Sequence, residues 1–327
     1  MMSETGLKPI PAILFLNNKG GVAKTTTSSL TAESLSILYG KRVLLIDFDG
    51  QMNLTAYWVG QDRNLDGDII PPIHPDYDPE DEYDRETLSE RSNITDIFYG
   101  LSVLPHTTFI GPEDPDDTVS ARVDIISGSR EGMIDILTNL NKDRGKDAVT
   151  GRHRDTTTQH KLIKRLGEFC SDPALAEQYD VIVIDSGPTE SPLFHAAIQA
   201  STHIISPYKP EEFSVMGATT LINGLKNARL SRLGRSEPIR FLGLLPSLVD
   251  LGRGLHEETI TEVMSDFPES HFPEGMMITN TTAISSRQRK NTQKPDSIFS
   301  LPPSQVVRKR CDPVFAYIKQ EVLGNDE

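Results

Sequence analysis

The stretch that most restricts the fold of this chain is 10–39. There a short apolar run, IPAILFL, passes through NNKGGVAKTTT into a segment with helical spacing. The apolar run has the length of a buried strand. Residues 25–39 carry Leu30, Ile37 and Leu38 at helical offsets, and Gly40 is placed to cap them. VLLIDF, 43–48, is a second buried strand that ends in acid. Strand, loop, helix and strand in so short a span make a βαβ unit, with parallel strands and a right-handed crossover.

The alternation resumes further along. Residues 161–170 read as a helix, and YDVIVIDSGP, 179–188, as a continuous apolar strand that also ends in acid. THIISPY and IRFLGLLPS are further strands, with helices over 213–233 and 255–267. A final helix spans 312–323, with Pro313 at its first position. Two segments break the pattern. Residues 62–91 are rich in proline and acid, lack a period, and read as a mobile surface insertion. Residues 141–159 are polar and charged and read as an exposed loop. With no internal repeat, the expectation is one α/β domain over 1–327. Its sheet is doubly wound and mostly parallel, flanked by helices.

In such sheets ligands bind beyond the carboxyl ends of the strands. Three of those ends carry polar groups: the loop 17–27, the Asp47-Phe48-Asp49 stretch, and Asp185-Ser186-Gly187-Pro188. The first is close to a phosphate loop but misses the usual G-x-x-x-x-G-K-[ST] spacing, with Asn18 and Ala23 where glycines are wanted. It retains what a nucleoside triphosphate needs. Gly20 and Gly21 allow close backbone approach at a helix start. Lys24 supplies an ammonium for the β- and γ-phosphates, and Thr25 a hydroxyl for magnesium. Asp47, Asp49 and Asp185 are candidates to complete the metal's shell and orient a water. Lys19 is not required by a standard loop. It is either a solvated surface charge or a lysine that reaches the phosphates of a facing subunit.

Composition excludes several alternatives. The net charge of −14 rules out a uniform basic coat for nucleic acid, so such binding must come from a local patch. Cys170 and Cys311 have no metal or redox spacing, as expected of reduced thiols in a cytosolic protein. No apolar run has the length of a membrane span, and the N-terminal MMSETGLKPIP has no signal-peptide pattern. A soluble, intracellular protein is expected.

KGGVAKTT, 19–26, resembles the deviant Walker A motif of the ParA/MinD group of P-loop ATPases. VLLIDFDGQMNLT is similar to the ParA segment that usually reads as a strand followed by D-x-D-P-Q-x-N. YDVIVIDSGP resembles the Walker B and switch segment that usually ends D-x-P-P. Weaker similarity, through SNITDIFYG, VDIISGSREGMIDIL, IISPYKPEEFSVMGATTLI and FLGLLPSLVD, extends over nearly the whole chain. The resemblance implies a single ParA-like ATPase domain that binds ATP and Mg2+ and closes as a sandwich homodimer. It assigns Lys19, Gly20, Gly21, Val22, Ala23, Lys24, Thr25 and Thr26 to the nucleotide, with Lys19 crossing into the partner's site. It assigns Thr25, Asp47 and Asp185 to the metal, Asp49 to the attacking water, and the 279–281 segment (Asn280, Thr281) to the adenine. Three departures stand out: Ala23 for glycine, and Gly50 and Gly187 for prolines.

The same resemblance separates the members by cargo. The acidic tail, YIKQEVLGNDE, lacks the basic amphipathic helix by which MinD proteins attach to membrane. The cysteines lack the pattern of iron–sulphur relatives. Two basic runs, Arg287/Arg289/Lys290/Lys294 and Arg308/Lys309/Arg310, match the C-terminal region through which ParA dimers grip DNA without sequence preference. The plainer alternative is a solvated loop and helix end. Little chain precedes Ile10, so an added N-terminal helix-turn-helix domain is not expected. The expected function is that of a cytoplasmic, nucleoid-associated partition ATPase stimulated by a ParB-like protein. A positioner of protein cargo and a low-turnover regulatory module are the alternatives.

Overall fold

The computed structural model describes residues 10–108, 122–146, 156–188, 191–210, 222–224, 238–287 and 297–324. In chain order its elements are β1 (Ala12–Phe15), α1 (Lys24–Tyr39), β2 (Val43–Phe48), α2 (Asn53–Trp58), β3 (Asp62–Arg63), β4 (Ile69–Ile70) and α3 (Glu82–Thr87). There follow α4 (Asp96–Tyr99), β5 (His106–Thr108), β6 (Val123–Ile126), α5 (Arg130–Lys146), α6 (Thr156–Phe169), α7 (Pro173–Gln178) and β7 (Val181–Ser186). The last are α8 (Pro192–Ala200), β8 (His203–Tyr208), β9 (Arg240–Val249), α9 (Gly254–Asp266), β10 (Ile278–Thr279), α10 (Thr282–Arg287) and α11 (Val306–Leu323).

Among the described residues, eight strands form one sheet in the order β10-β9-β8-β1-β7-β2-β6-β5. All pairings are parallel except β5 on β6. The expected doubly wound α/β architecture is therefore present. The apolar runs read as continuous because both faces of the sheet are covered. Ile13, Phe15, Leu45, Val181 and Val183 pack with Leu30 and Leu35 of α1 and Val314, Phe315 and Ile318 of α11. Their neighbours Leu14, Leu16, Leu44, Ile46, Ile182 and Ile184 pack on the other face with Met133, Leu166, Leu193 and Ala197. Each such burial contributes roughly 1.5–3 kcal/mol, so the central strands are the most firmly held part of the chain.

Helix α1 is buried along most of its length although it is rich in serine and threonine. Its hydroxyls turn back onto the helix: Ser28 donates to the Thr25 carbonyl, Thr31 to Thr27 and Ser34 to Thr31, at 2.8–3.0 Å. Satisfied in this way, these three hydroxyls pass through the core with a partner, whereas the buried Thr27 hydroxyl of the same helix finds none. Gly40 ends the helix at φ 63°, as expected, with its N–H on the Ser36 carbonyl and the Lys41 N–H on that of Leu35.

Three expectations need correction, and a fourth falls outside the described residues. The final helix does not begin at Asp312: α11 starts at Val306 and carries Pro313 inside it. Burial of Val307 and Cys311, and the clamp formed by Arg308, hold the turns before the proline. Residues 141–159 are not one loop, because α5 runs through Lys146 and α6 begins at Thr156, before the expected 161. The helix expected over 213–233 lies outside the described residues except for a helical piece at 222–224.

The acidic stretch 62–91 is not an irregular insertion. β3 and β4 pair as an antiparallel hairpin, Asn64 reaches Glu131 of α5 at 3.1 Å, and Arg91 holds Asp62 at 2.6 Å and the Pro71 carbonyl. His74 is buried against His106 of β5, ring centroids 4.3 Å apart. The acids that made the stretch look unstructured act as local acceptors: Asp81 caps α3, Asp78 accepts from the Glu80 N–H and Asp84 from the Asp78 N–H.

Candidate nucleotide site

Strand order brings the three polar strand ends together. β7 lies between β1 and β2, and the register sets Asp185 beside Phe15 on one side and beside Asp47 on the other. Neighbouring strands are roughly 5 Å apart. The loop 17–27, Asp185 and the Asp47–Asp49 turn therefore share one edge.

The loop is anchored before it opens. Asn17 is buried; its amide donates to the Pro207 carbonyl at 2.9 Å and the Ser206 hydroxyl at 3.4 Å, and its oxygen accepts the Lys19 N–H at 3.0 Å. Lys19, Gly20 and Gly21 are exposed. Gly21 has φ 73°, and no atom stands within 4 Å of where its Cβ would lie. Its glycine is required by the backbone turn. Val22 is buried, and Thr25 and Thr26 are half-buried in the first turn of α1. Ala23 adopts φ 69° and ψ 26°, the left-handed conformation that the family glycine supplies without strain. The alanine retains the loop shape at a cost of about 1 kcal/mol. Lys24 is buried and its Nζ donates to the Lys19 carbonyl at 3.0 Å. Burial lowers its pKa, while Asp185 and then Asp49 act in the opposite direction.

The two carboxylates in register differ in their surroundings. Asp47 Oδ2 accepts from the Thr55 N–H at 2.8 Å and the Thr55 hydroxyl at 2.7 Å, and Oδ1 from the Asp49 N–H at 3.2 Å. Burial pushes Asp47 up to about 6 in spite of these bonds. Asp185 is equally buried, yet neither of its oxygens receives a hydrogen bond of ordinary geometry. Its pKa is raised by burial first and by Asp47 second, with the nearby Thr25 hydroxyl and Lys24 opposing. A buried carboxylate with both oxygens unsatisfied is costly. Beside an ammonium and a hydroxyl, it fits a site completed by a cation. Among the described residues no cluster of three His, Cys, Asp or Glu forms a metal cage. Magnesium keeps waters and takes few protein ligands beside phosphate oxygens, a role that one carboxylate and one hydroxyl can fill.

Asp49 lies across from the end of β7. Its Oδ1 accepts the Gln51 N–H at 3.0 Å, and a Cβ on Gly187 would stand 3.1 Å from the same oxygen. Glycine in place of proline thus leaves room for Asp49. At Gly50 an added Cβ would meet only Met133 Sδ at 3.7 Å and Arg130 Cα at 3.9 Å, ordinary contacts.

The remaining expected residues are not gathered here. Asn280 and Thr281 follow β10, three strand positions from β1, and the Asn280 N–H bonds the Val249 carbonyl. Arg308 is withdrawn from the expected basic surface. Its guanidinium is buried, bonded to the Phe299 and Leu301 carbonyls at 2.8 and 2.7 Å and to Asp312 at 2.7 Å. It holds the turn before α11 and is not presented to a phosphate. Lys309 and Arg310 are exposed. Arg287 ends α10, and its side chain, like Arg289, Lys290 and Lys294, lies outside the described residues.

Two contributors escaped sequence reasoning: Thr55 and Gly128. A Cβ on Gly128 would come within 3.1 Å of the Asp47 carboxyl carbon. The signal available was IISGS, a serine and then a glycine after an apolar strand, which marks another strand end on the same edge.

The AAA_31 family, described as an AAA domain, matches residues 10–99 and 158–234, just over half of the chain. The chromosome-partitioning ATPase Soj of Thermus thermophilus is 26% identical over 80% of this chain and 78% of its own length. Among solved structures, the Cyanothece McdA–ATP complex superposes with a TM-score of 0.62 at 16% identity, covering 98% of each chain. The pNOB8 ParA bound to nonspecific DNA superposes at 0.57 and 20% identity, covering 96% of this chain and 97% of that one. With the family match and the geometry taken together, the chain belongs to the AAA_31 family and is a P-loop ATPase of the ParA type.

Proposed function

We propose that this protein is an ATP-dependent partition ATPase that binds Mg2+ and ATP, pairs with a second copy across the nucleotide, and holds DNA without sequence preference until a ParB-like partner triggers hydrolysis. The observation that carries the reading is the convergence of the loop 17–27, Asp49 and the bare Asp185 on one sheet edge. In relatives, the chromosome-partitioning role of the ATPase Soj and the nonspecific DNA bound to pNOB8 ParA support it.

In this reading the N–H groups of Gly20 to Thr25 face the phosphate oxygens, aided by the dipole of α1. Lys24 exchanges the Lys19 carbonyl for the β- and γ-phosphates, which frees the Lys19 backbone to reshape. Lys19 then crosses to the partner's phosphates. Thr25 and Asp185 hold the metal side, with Asp47 behind them. Asp49 orients the water in line with the γ-phosphate. When bound, magnesium neutralises charge that builds on the phosphate oxygens. Asn280 and Thr281 sit roughly 14 Å from β1 across three strand spacings, a reach that an extended nucleotide spans to its base. Lys309 and Arg310, with Arg287, Arg289, Lys290 and Lys294, supply the DNA-facing charge. The protein acts in the cytoplasm on the nucleoid. Among the described residues no helix is long and apolar enough to cross a membrane.

The test is ATP-dependent DNA binding of wild type beside Lys19→Gln across a salt series. Wild type should bind only with ATP and weaken steeply with salt, and Lys19→Gln should fold and bind ATP yet neither dimerise nor bind DNA. Normal ATP-dependent dimerisation of Lys19→Gln would refute the cross-subunit role.

A further inference from the structure

We infer that Thr55 is a positioning residue for the metal side of the site: its side chain decides which oxygen of Asp47 faces the cation. This rests on the reading of the site as an Mg2+–ATP site.

Thr55 is fully buried in α2, and the ends of β2 and β6 meet at its hydroxyl. The Oγ1 donates to Asp47 Oδ2 at 2.7 Å and accepts from the Gly128 N–H at 2.8 Å. A hydroxyl has one proton, and the Gly128 N–H can only donate. The Thr55 proton is therefore committed to Asp47, with no second orientation that satisfies both neighbours. The Thr55 N–H adds a further bond to the same Oδ2. One oxygen of Asp47 is thus occupied twice, while Oδ1 takes only the longer bond from the Asp49 N–H at 3.2 Å. Glycine at 128 is what lets the end of β6 sit beside the Asp47 carboxyl, since an added Cβ would stand 3.1 Å from its carbon and 3.2 Å from Oδ2. The geometry leaves Oδ1 as the oxygen with spare accepting capacity, beside the bare pair of Asp185.

The arrangement makes a division of labour. Asp185 is open and takes its orientation from what binds. Asp47 is set in advance, and Thr55 is the group that sets it. Outer groups of this kind typically change metal affinity by about 10–100-fold when removed.

The experiment compares wild type, Thr55→Val, Thr55→Ser and Asp185→Asn by the anisotropy of mant-ATP, first in EDTA and then in a Mg2+ titration. Valine keeps the shape and removes the hydroxyl; serine keeps the hydroxyl. Thr55→Val should bind mant-ATP normally in EDTA but need about 10-fold more Mg2+ to reach its metal-dependent affinity, and Thr55→Ser should titrate close to wild type. A purely structural role would weaken metal-free binding as well and would leave the Mg2+ midpoint in place. If circular dichroism shows Thr55→Val unfolded, Thr55→Cys, with a weak donor of suitable size, replaces it with the same expectation. A wild-type Mg2+ midpoint in the hydroxyl-free variant overturns the assignment of Thr55. A wild-type midpoint in Asp185→Asn overturns instead the metal site on which it rests.

Discussion

Two loops on the same edge begin alike and are held differently. Residues 17–24 leave β1, pass through a left-handed alanine at φ 69° and enter α1; residues 49–53 leave β2, pass through a left-handed methionine at φ 57° and enter α2. Ala23 has almost no side chain to bury, and the loop before it is exposed from Asn18 to Gly21. Met52 is fully buried, and its neighbours are pinned through Asp49, Thr55 and Asp47. The same unfavourable backbone conformation is therefore an unrelieved cost in one loop and is offset by packing in the other. The first loop is left for a ligand to shape, and the second is shaped before any ligand arrives.

Glycine substitutions should separate the two. Met52→Gly relieves the backbone but removes a buried side chain, so it should destabilise by about 2–4 kcal/mol in urea unfolding. A gain in stability would show that the methionine contributes no packing there.

Acid should act away from both loops. Burial holds His106 down at about 4, with its neighbour His74 adding to the effect, and burial also lowers His74. Both are neutral in folded and unfolded chains above about pH 6.5. Below that the unfolded chain takes up protons that the folded one refuses, so stability falls as the pH drops from about 6.5 towards 4. At pH 5 one histidine held neutral costs about 2 kcal/mol. Asp47 has the opposite sign, because the folded state binds its proton more tightly. Hydrogen exchange at pH 5 should therefore quicken first in 62–91 and β5; earlier loosening of β2 and α2 would contradict this.

The strand end between the two loops gives the next effect. Asp185→Asn removes a bare buried carboxylate and should stabilise the ligand-free protein by about 1–2 kcal/mol, measured as a rise in melting temperature. A fall would mean that the carboxylate is already compensated. The smallest effect is expected at Ala23, where glycine should add up to about 1 kcal/mol with no loss of packing. An unchanged unfolding midpoint would remove the strain from the account of this loop.

Much of this edge was legible in the sequence. The strands before Asn17, Asp49 and Gly187 are solid apolar runs, because both faces are covered, and their ends carry the polar residues. Their neighbour relation was not legible, since strand order depends on crossovers that local pattern does not encode. Thr55 was hidden for a different reason. A threonine six residues beyond Asp49 looks like any helix residue until α2 folds it back onto β2. Arg308 misled because its charge suggested a surface, whereas its partners are the carbonyls of the preceding turn. Pro313 misled because proline usually opens a helix, and here packing of the preceding turns outweighs its missing N–H. The 62–91 stretch misled because carboxylates that cap and turn the chain have the composition of disorder.

Among the described residues the sheet ends in β10, two residues long, on one side and β5, three residues long and reversed in direction, on the other. Borders this short present too few free backbone groups to recruit another strand. Under the proposed function, in which copies meet and part repeatedly, such borders avoid the one association that would not come apart. In that reading copies come together through loops and side chains, and contacts of that kind can be dissolved by changing what lies between them.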